Sequence, residues 1–146
     1  MSKHMNRQML ALIACTGLFL SACQKHFVTH HVDHPARVEH VDGLDIARVI
    51  LTDKAIERID LRTAKVEERT LAVGETVVPY SALIYDEHGG TWIYISPSPR
   101  TFQRTEVDVD RIEGNDVILT AGPEAGTVVA TVGVAELYGA ELGVGH

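Results

Sequence analysis

Beyond Leu71 the chain is cut by glycine-containing turns into short apolar runs, and this punctuation leaves few architectures open. Asp86-Glu87-His88-Gly89-Gly90, Glu113-Gly114-Asn115-Asp116 and Gly122-Pro123-Glu124-Ala125-Gly126 are turn sequences. Gly accepts a positive φ, and Asn and Asp bond their own backbone, as tight reversals require. The runs between them are short and rich in β-branched and aromatic residues, a strand signature. They predict an all-β domain, a small antiparallel β-roll or barrel-like form with one short helix. Val77-Val78-Pro79 leads into a strand over Ala82 to Tyr85, and Thr91 to Ser96 forms its hairpin partner. Trp92 and Tyr94 share one face of that strand and Ile93 and Ile95 the other, so a strand apolar on both faces belongs inside a sheet. Phe102 to Val109 reads as one further strand whose apolar parity switches, and a bulge between Gln103 and Glu106 accounts for the switch. Val117 to Leu119 and Thr127 to Val132 complete the strands. Val134 to Tyr138 adds one helical turn before a glycine-rich tail.

The first half is organised differently. Lys3 and Arg7 give a positive start, Met9 to Leu20 carries no charge, and Leu20-Ser21-Ala22-Cys23 closes the run. About a dozen apolar residues rise only to roughly 18 Å as a helix, short of the ~30 Å hydrocarbon core, so this is the pattern of a signal peptide and not of a membrane-spanning helix. The Leu-Ser-Ala-Cys ending resembles the lipobox of bacterial lipoproteins. That resemblance implies diacylglycerol on the sulfur of Cys23 and cleavage just before it. The other cysteine, Cys15, lies in the discarded segment, so the mature chain is expected to hold no free thiol and no disulfide. From Gln24 to about Gly43 the residues are polar, rich in His and Val, and broken by Pro35. The expected organisation is a signal peptide over 1–22, a lipidated tether over 23–45 and a folded domain over 46–146. Ile46 to Leu51 opens that domain as a strand, Thr52 caps a short helix over 53–58, and Leu61 to Val66 is extended again.

Charge excludes some partners. Removing residues 1–22 takes Lys3 and Arg7 from the 13 basic residues and nothing from the 20 acidic ones, moving the formal net charge from -7 to -9. Such a chain repels phosphate backbones and anionic head groups, so no nucleic acid is expected, and membrane contact runs through the lipid anchor. No phosphate-binding loop, nucleophile elbow, His-Glu-x-x-His or dinucleotide fingerprint is present, and no enzymatic activity is expected. Glu106, Asp108 and Asp110 alternate with Val107 and Val109 and read as a solvated face. The concentration that suits a ligand is His26, His30, His31 and His34, with His40, Asp33 and Glu39 nearby. Imidazoles with a carboxylate fit Zn²⁺ or Cu²⁺, although a soluble tether using histidine as its polar residue carries the same sequence. No other cofactor is expected.

Four segments then carry a resemblance. Ile50-Leu51-Thr52-Asp53-Lys54-Ala55, running on through Ile56-Glu57-Arg58-Ile59-Asp60-Leu61-Arg62-Thr63-Ala64, resembles the opening of the membrane-proximal region of periplasmic adaptor subunits, or membrane fusion proteins, of RND-type efflux pumps. Val78-Pro79-Tyr80-Ser81-Ala82-Leu83, Thr91-Trp92-Ile93-Tyr94-Ile95 and Gly122-Pro123-Glu124-Ala125-Gly126-Thr127-Val128-Val129 are similar to the family's later segments, in the family's order. Full adaptors insert a β-barrel, a lipoyl-like domain and an α-helical hairpin between opening and closing segments; here only eleven residues separate Val66 from Val78. The resemblance therefore implies a membrane-proximal-like domain alone, whose sheet is built from both ends of the chain. It implies an accessory or reduced adaptor docked on an RND-type inner-membrane transporter, in the cell envelope and facing the periplasm. The turn from Asp86 to Gly90 and the strand around Phe102 are the expected exposed contact surfaces, with His88 and Arg104 as partner-binding positions. The alternative is a periplasmic metal-binding lipoprotein using the tether histidines.

Overall fold

The computed structural model describes residues 34–144, apart from 42, 44–45 and 70–73. The domain is built of antiparallel strands in two sheets, with short helices on one outer face. Its strands are β1 (Ala36–His40), β2 (Ala47–Leu51), β3 (Arg62–Lys65), β4 (Glu67–Arg69), β5 (Glu75–Pro79), β6 (Ile84–Tyr85), β7 (Thr91–Ser98), β8 (Thr101–Glu106), β9 (Asp108–Glu113), β10 (Asp116–Ala121) and β11 (Val128–Val132). Two helices, α1 (Asp53–Arg58) and α2 (Val134–Glu141), and a 3-10 turn over Tyr80–Ala82 complete the described elements. One sheet runs β1-β2-β8-β7-β11-β3, with β6 added beside β7, and the other runs β4-β5-β10-β9.

Strand alternation fills two cores from the larger sheet. Val49, Leu51, Tyr94, Phe102 and Ala130 point to the helical side, where Ala55 of α1 and Val134 and Leu137 of α2 cover them. Ile93 and Val129 point the other way, against Val78, Val117 and Leu119 of the smaller sheet, with Val66 and Val107 closing the cluster. β7 serves both, as two apolar faces require of an interior strand. Thr52 caps α1 as its residue type predicts, its hydroxyl accepting from the Ala55 N–H at 3.1 Å. Gly114 at φ 65° makes the two-residue reversal between β9 and β10, where Glu113 pairs with Asp116.

Four expectations need correction. The stretch read as tether contains β1, which pairs with β2 from Ala36↔Leu51 to His40↔Ala47. Its alternation is weak because Ala36, Val38 and His40 share the core-side face but only Ala36 is partly buried there. Phe102 to Val109 is not one bulged strand: β8 pairs regularly with β7 from Trp92↔Glu106 to Ile95↔Gln103, and the chain then changes sheets at Val107. The parity switch marks that crossing. β8 is also not an edge, since β2 and β7 flank it and Phe102 is 2% exposed. Finally, α2 runs on to Glu141, beyond the single expected turn, and takes Gly139 out of the expected glycine-rich tail into the helix.

Candidate functional site

A cleft of about 650 Å³ opens where the β6–β7 turn faces β8 and α2, lined by Asp86, His88, Trp92, Arg104, Glu106 and Tyr138. The turn is fixed by one side chain. Asp86 Oδ1 accepts from the backbone N–H of His88 at 2.9 Å and of Gly90 at 2.7 Å, and Oδ2 accepts from Trp92 Nε1 at 2.8 Å. The Trp92 N–H, followed by that of Gly90, favours the charged form and holds the Asp86 carboxyl below the usual carboxylate range. Gly90 leaves room for this arrangement, because a Cβ there would stand 2.7 Å from Asp86 Oδ2 and 2.9 Å from Trp92 Nε1.

Arg104 forms the cleft's floor. Its guanidinium carbon lies 4.5 Å from the centroid of Trp92 and 5.6 Å from that of Tyr138, a stack between two ring faces. Nε donates to Glu141 Oε1 at 3.2 Å, with the side chains 13% and 5% exposed. The other Glu141 oxygen, Oε2, accepts from the Tyr94 hydroxyl. Burial, then the bond to Glu141, pushes the Tyr94 phenol far above its usual range, so it remains a donor at physiological pH. Cross-strand position dictates the cluster, since Tyr94 pairs with Arg104 and Trp92 with Glu106 on the α2 side of the sheet. Tyr94, Arg104 and Glu141 bond one another, and Asp86 bonds Trp92 and the turn backbone. What the cleft offers is a stacked cation, aromatic edges and an ordered turn, which suit contact recognition better than proton transfer.

The site residues expected from sequence scatter. Cys23, His26, His30 and His31 lie outside the described residues. His34 is exposed, immediately before Pro35 and β1. Among the described residues no three His, Cys, Asp or Glu converge as a metal ion needs. His88 stands at the tip of the β6–β7 turn with its side chain 83% exposed, as expected of that position. Arg104 does not fit the exposed role assigned to it, because an interior strand turns it under α2. Sequence reasoning missed Tyr138 and Glu141, the residues that complete the cluster. The signal was present in their one-turn spacing from Val134 and Leu137, and the neighbouring glycines masked it.

The remaining charges follow a simpler rule. On the outer face of the smaller sheet Arg111 lies 2.7 Å from Glu113 and 2.8 Å from Glu75, while Arg69 pairs with Glu113 and Asp116. Arg111 draws the Glu113 carboxyl below its ordinary range. These exposed pairs form a solvated charge ladder, each pair worth little alone. No protein-family model, curated protein or solved structure matches the chain.

Proposed function

We propose that this chain is a lipid-anchored lipoprotein of the cell envelope that docks, facing the periplasm, on an RND-type transporter as an accessory or reduced adaptor. The observation supporting this reading most directly is the pairing of β3 with β11. Ala64, at the end of the opening segment, lies opposite Val129, at the end of the closing one. The four segments that resemble the adaptor family thus meet in a single domain, as a sheet built from both chain ends requires. Between them β4 and β5 pair directly, Glu67 opposite Val77, at the point where full adaptors carry their inserted domains. Among the described residues the longest helix is the eight-residue α2, and none of them forms a helical hairpin of the kind full adaptors carry. The role is docking, with the anchor at Cys23 raising the effective concentration enough for a weak contact to suffice.

The β6–β7 turn is the contact surface of this reading. His88 projects from it, and Tyr85 beside it is 53% exposed. Photo-crosslinkers at His88 and at Tyr85 should each trap an RND-type transporter in cells. Cys23→Ala should release the chain from the membrane fraction and reduce that capture. If no transporter is recovered from either position while the protein is folded and lipidated, the adaptor reading falls.

A further inference from the structure

Among the described residues β1 is an outer strand of the larger sheet and pairs with β2 alone. Register shows which of its backbone groups that pairing uses. The Val41 N–H donates to the Ile46 carbonyl at 3.2 Å and the Thr52 N–H to the Pro35 carbonyl at 3.1 Å. Bonded pairs in an antiparallel ladder recur at every second residue, so the groups turned toward β2 belong to Pro35, Arg37, Glu39 and Val41. The N–H and C=O groups of Ala36, Val38 and His40 are turned outward. Such an open row is a template for another strand. Pro35, which has no N–H to give, falls on the inward side and leaves the outward row intact.

The sequence of this edge is self-complementary. Ala36-Arg37-Val38-Glu39-His40, set against a second copy running the opposite way with Val38 on the two-fold axis, brings each Arg37 opposite the other copy's Glu39. Ala36 faces His40. The outward groups at Ala36, Val38 and His40 then form the bonded pairs, about six backbone hydrogen bonds in all. Arg37 and Glu39 occupy the non-bonded positions, where opposing Cα atoms approach to about 4.5 Å and side chains interact most strongly. Within one copy Arg37 Nη2 already lies 2.5 Å from Glu39 Oε1 on the same face, with the side chains 72% and 45% exposed. Re-pairing them across the axis exchanges one partner for an equivalent one. On the opposite face Val38, 37% exposed, borders the apolar groove of about 420 Å³ between α1 and α2, which Val144 also lines. Strand pairing would join the grooves of two copies.

We infer that the chain forms a two-fold dimer in which β1 strands of two copies pair antiparallel about Val38, extending the larger sheet across both molecules. The reciprocal charges select a second copy over a strand of unrelated sequence. With five residues per edge the association is weak in solution and gains from confinement to a membrane surface.

Sedimentation of the full lipidated chain in detergent, over a concentration series into the high micromolar range, should show a monomer–dimer equilibrium. Arg37→Glu and Glu39→Arg each place like charges opposite one another twice, and each should raise the dissociation constant about tenfold or more. The double exchange R37E/E39R restores complementarity and should return the constant to near the parent value. All three variants should keep the parent's thermal unfolding, because the altered side chains are exposed. A chain that stays monomeric throughout, single reversals without effect, or a double exchange as weak as the singles would each overturn the inference.

Discussion

Glu141 is where the stability of the cleft is most exposed to a single change. Glu141→Ala removes the acceptor of the Tyr94 hydroxyl and the counter-charge of Arg104 together. Breaking a buried ion pair from one side costs on the order of 3–5 kcal/mol, because the orphaned charge remains buried. Arg104 keeps its two ring contacts and is 13% exposed, so water relieves part of that cost. The unaccepted Tyr94 hydroxyl adds about 1–2 kcal/mol. A loss near 3 kcal/mol is therefore expected, which for a domain of this size lowers Tm by about 10 °C or somewhat more. Urea unfolding of the parent, E141A and the pair Arg104→Met with Glu141→Leu measures it. The paired replacement should recover the ion-pair share of the loss, about half of it, since apolar substitution of both members of a buried pair is often close to neutral, while the Tyr94 hydroxyl still lacks its acceptor. If E141A costs under about 1 kcal/mol, or the paired replacement is as unstable as E141A, the cluster does not hold α2 on the sheet.

Gly133 enters α2 at φ 81°, where a Cβ would stand 3.1 Å from Ile59 Cδ1 and from Leu61 Cδ1; Gly133→Ala should cost about 1–2 kcal/mol in thermal unfolding. Because the folded Asp86 carboxyl lies below its ordinary value of 3.8, its contribution is present above that value and lost as pH falls through the lower folded one. Fluorescence of the single Trp92 should therefore report an acid transition below the ordinary carboxylate range that Asp86→Asn abolishes, and an unchanged transition would discount the bond. Deleting residues 24–33 should leave unfolding unaltered and remove whatever Zn²⁺ affinity a calorimetric titration finds in the full chain. Zinc binding that survives the deletion would move the site away from His26, His30 and His31.

Local chemistry made much of this fold readable. Thr52, Gly114 and the two-faced run at Thr91 to Ile95 each state a requirement that a few neighbouring residues satisfy, and the cap, hairpin and interior strand stand where expected. Readings failed where the deciding partner is distant. β1 is a strand because β2 accepts it, not because Ala36 to His40 alternates strongly. The parity switch near Glu106 is visible in the sequence but does not name its cause, since a bulge and a change of sheet leave the same trace in one dimension. Arg104 looks like any charged residue in a polar strand until Glu141, brought across by α2, gives it a buried partner. The cleft was accordingly legible in its turn and illegible in its floor.

Val107 has a mechanical meaning. It is the single residue between β8 and β9, its N–H bonded to the Thr91 carbonyl at 2.9 Å and its side chain 1% exposed within the second core. A connection that short leaves no hinge, so neither sheet can tilt without dragging the other's registry. β7, which places Tyr94 in one core and Ile93 in the second, enforces the same union from inside the sheet. Amide protons of β7, β8 and β10 should therefore exchange at one common, slowest rate, the mark of a single cooperative unit and not of two stacked ones.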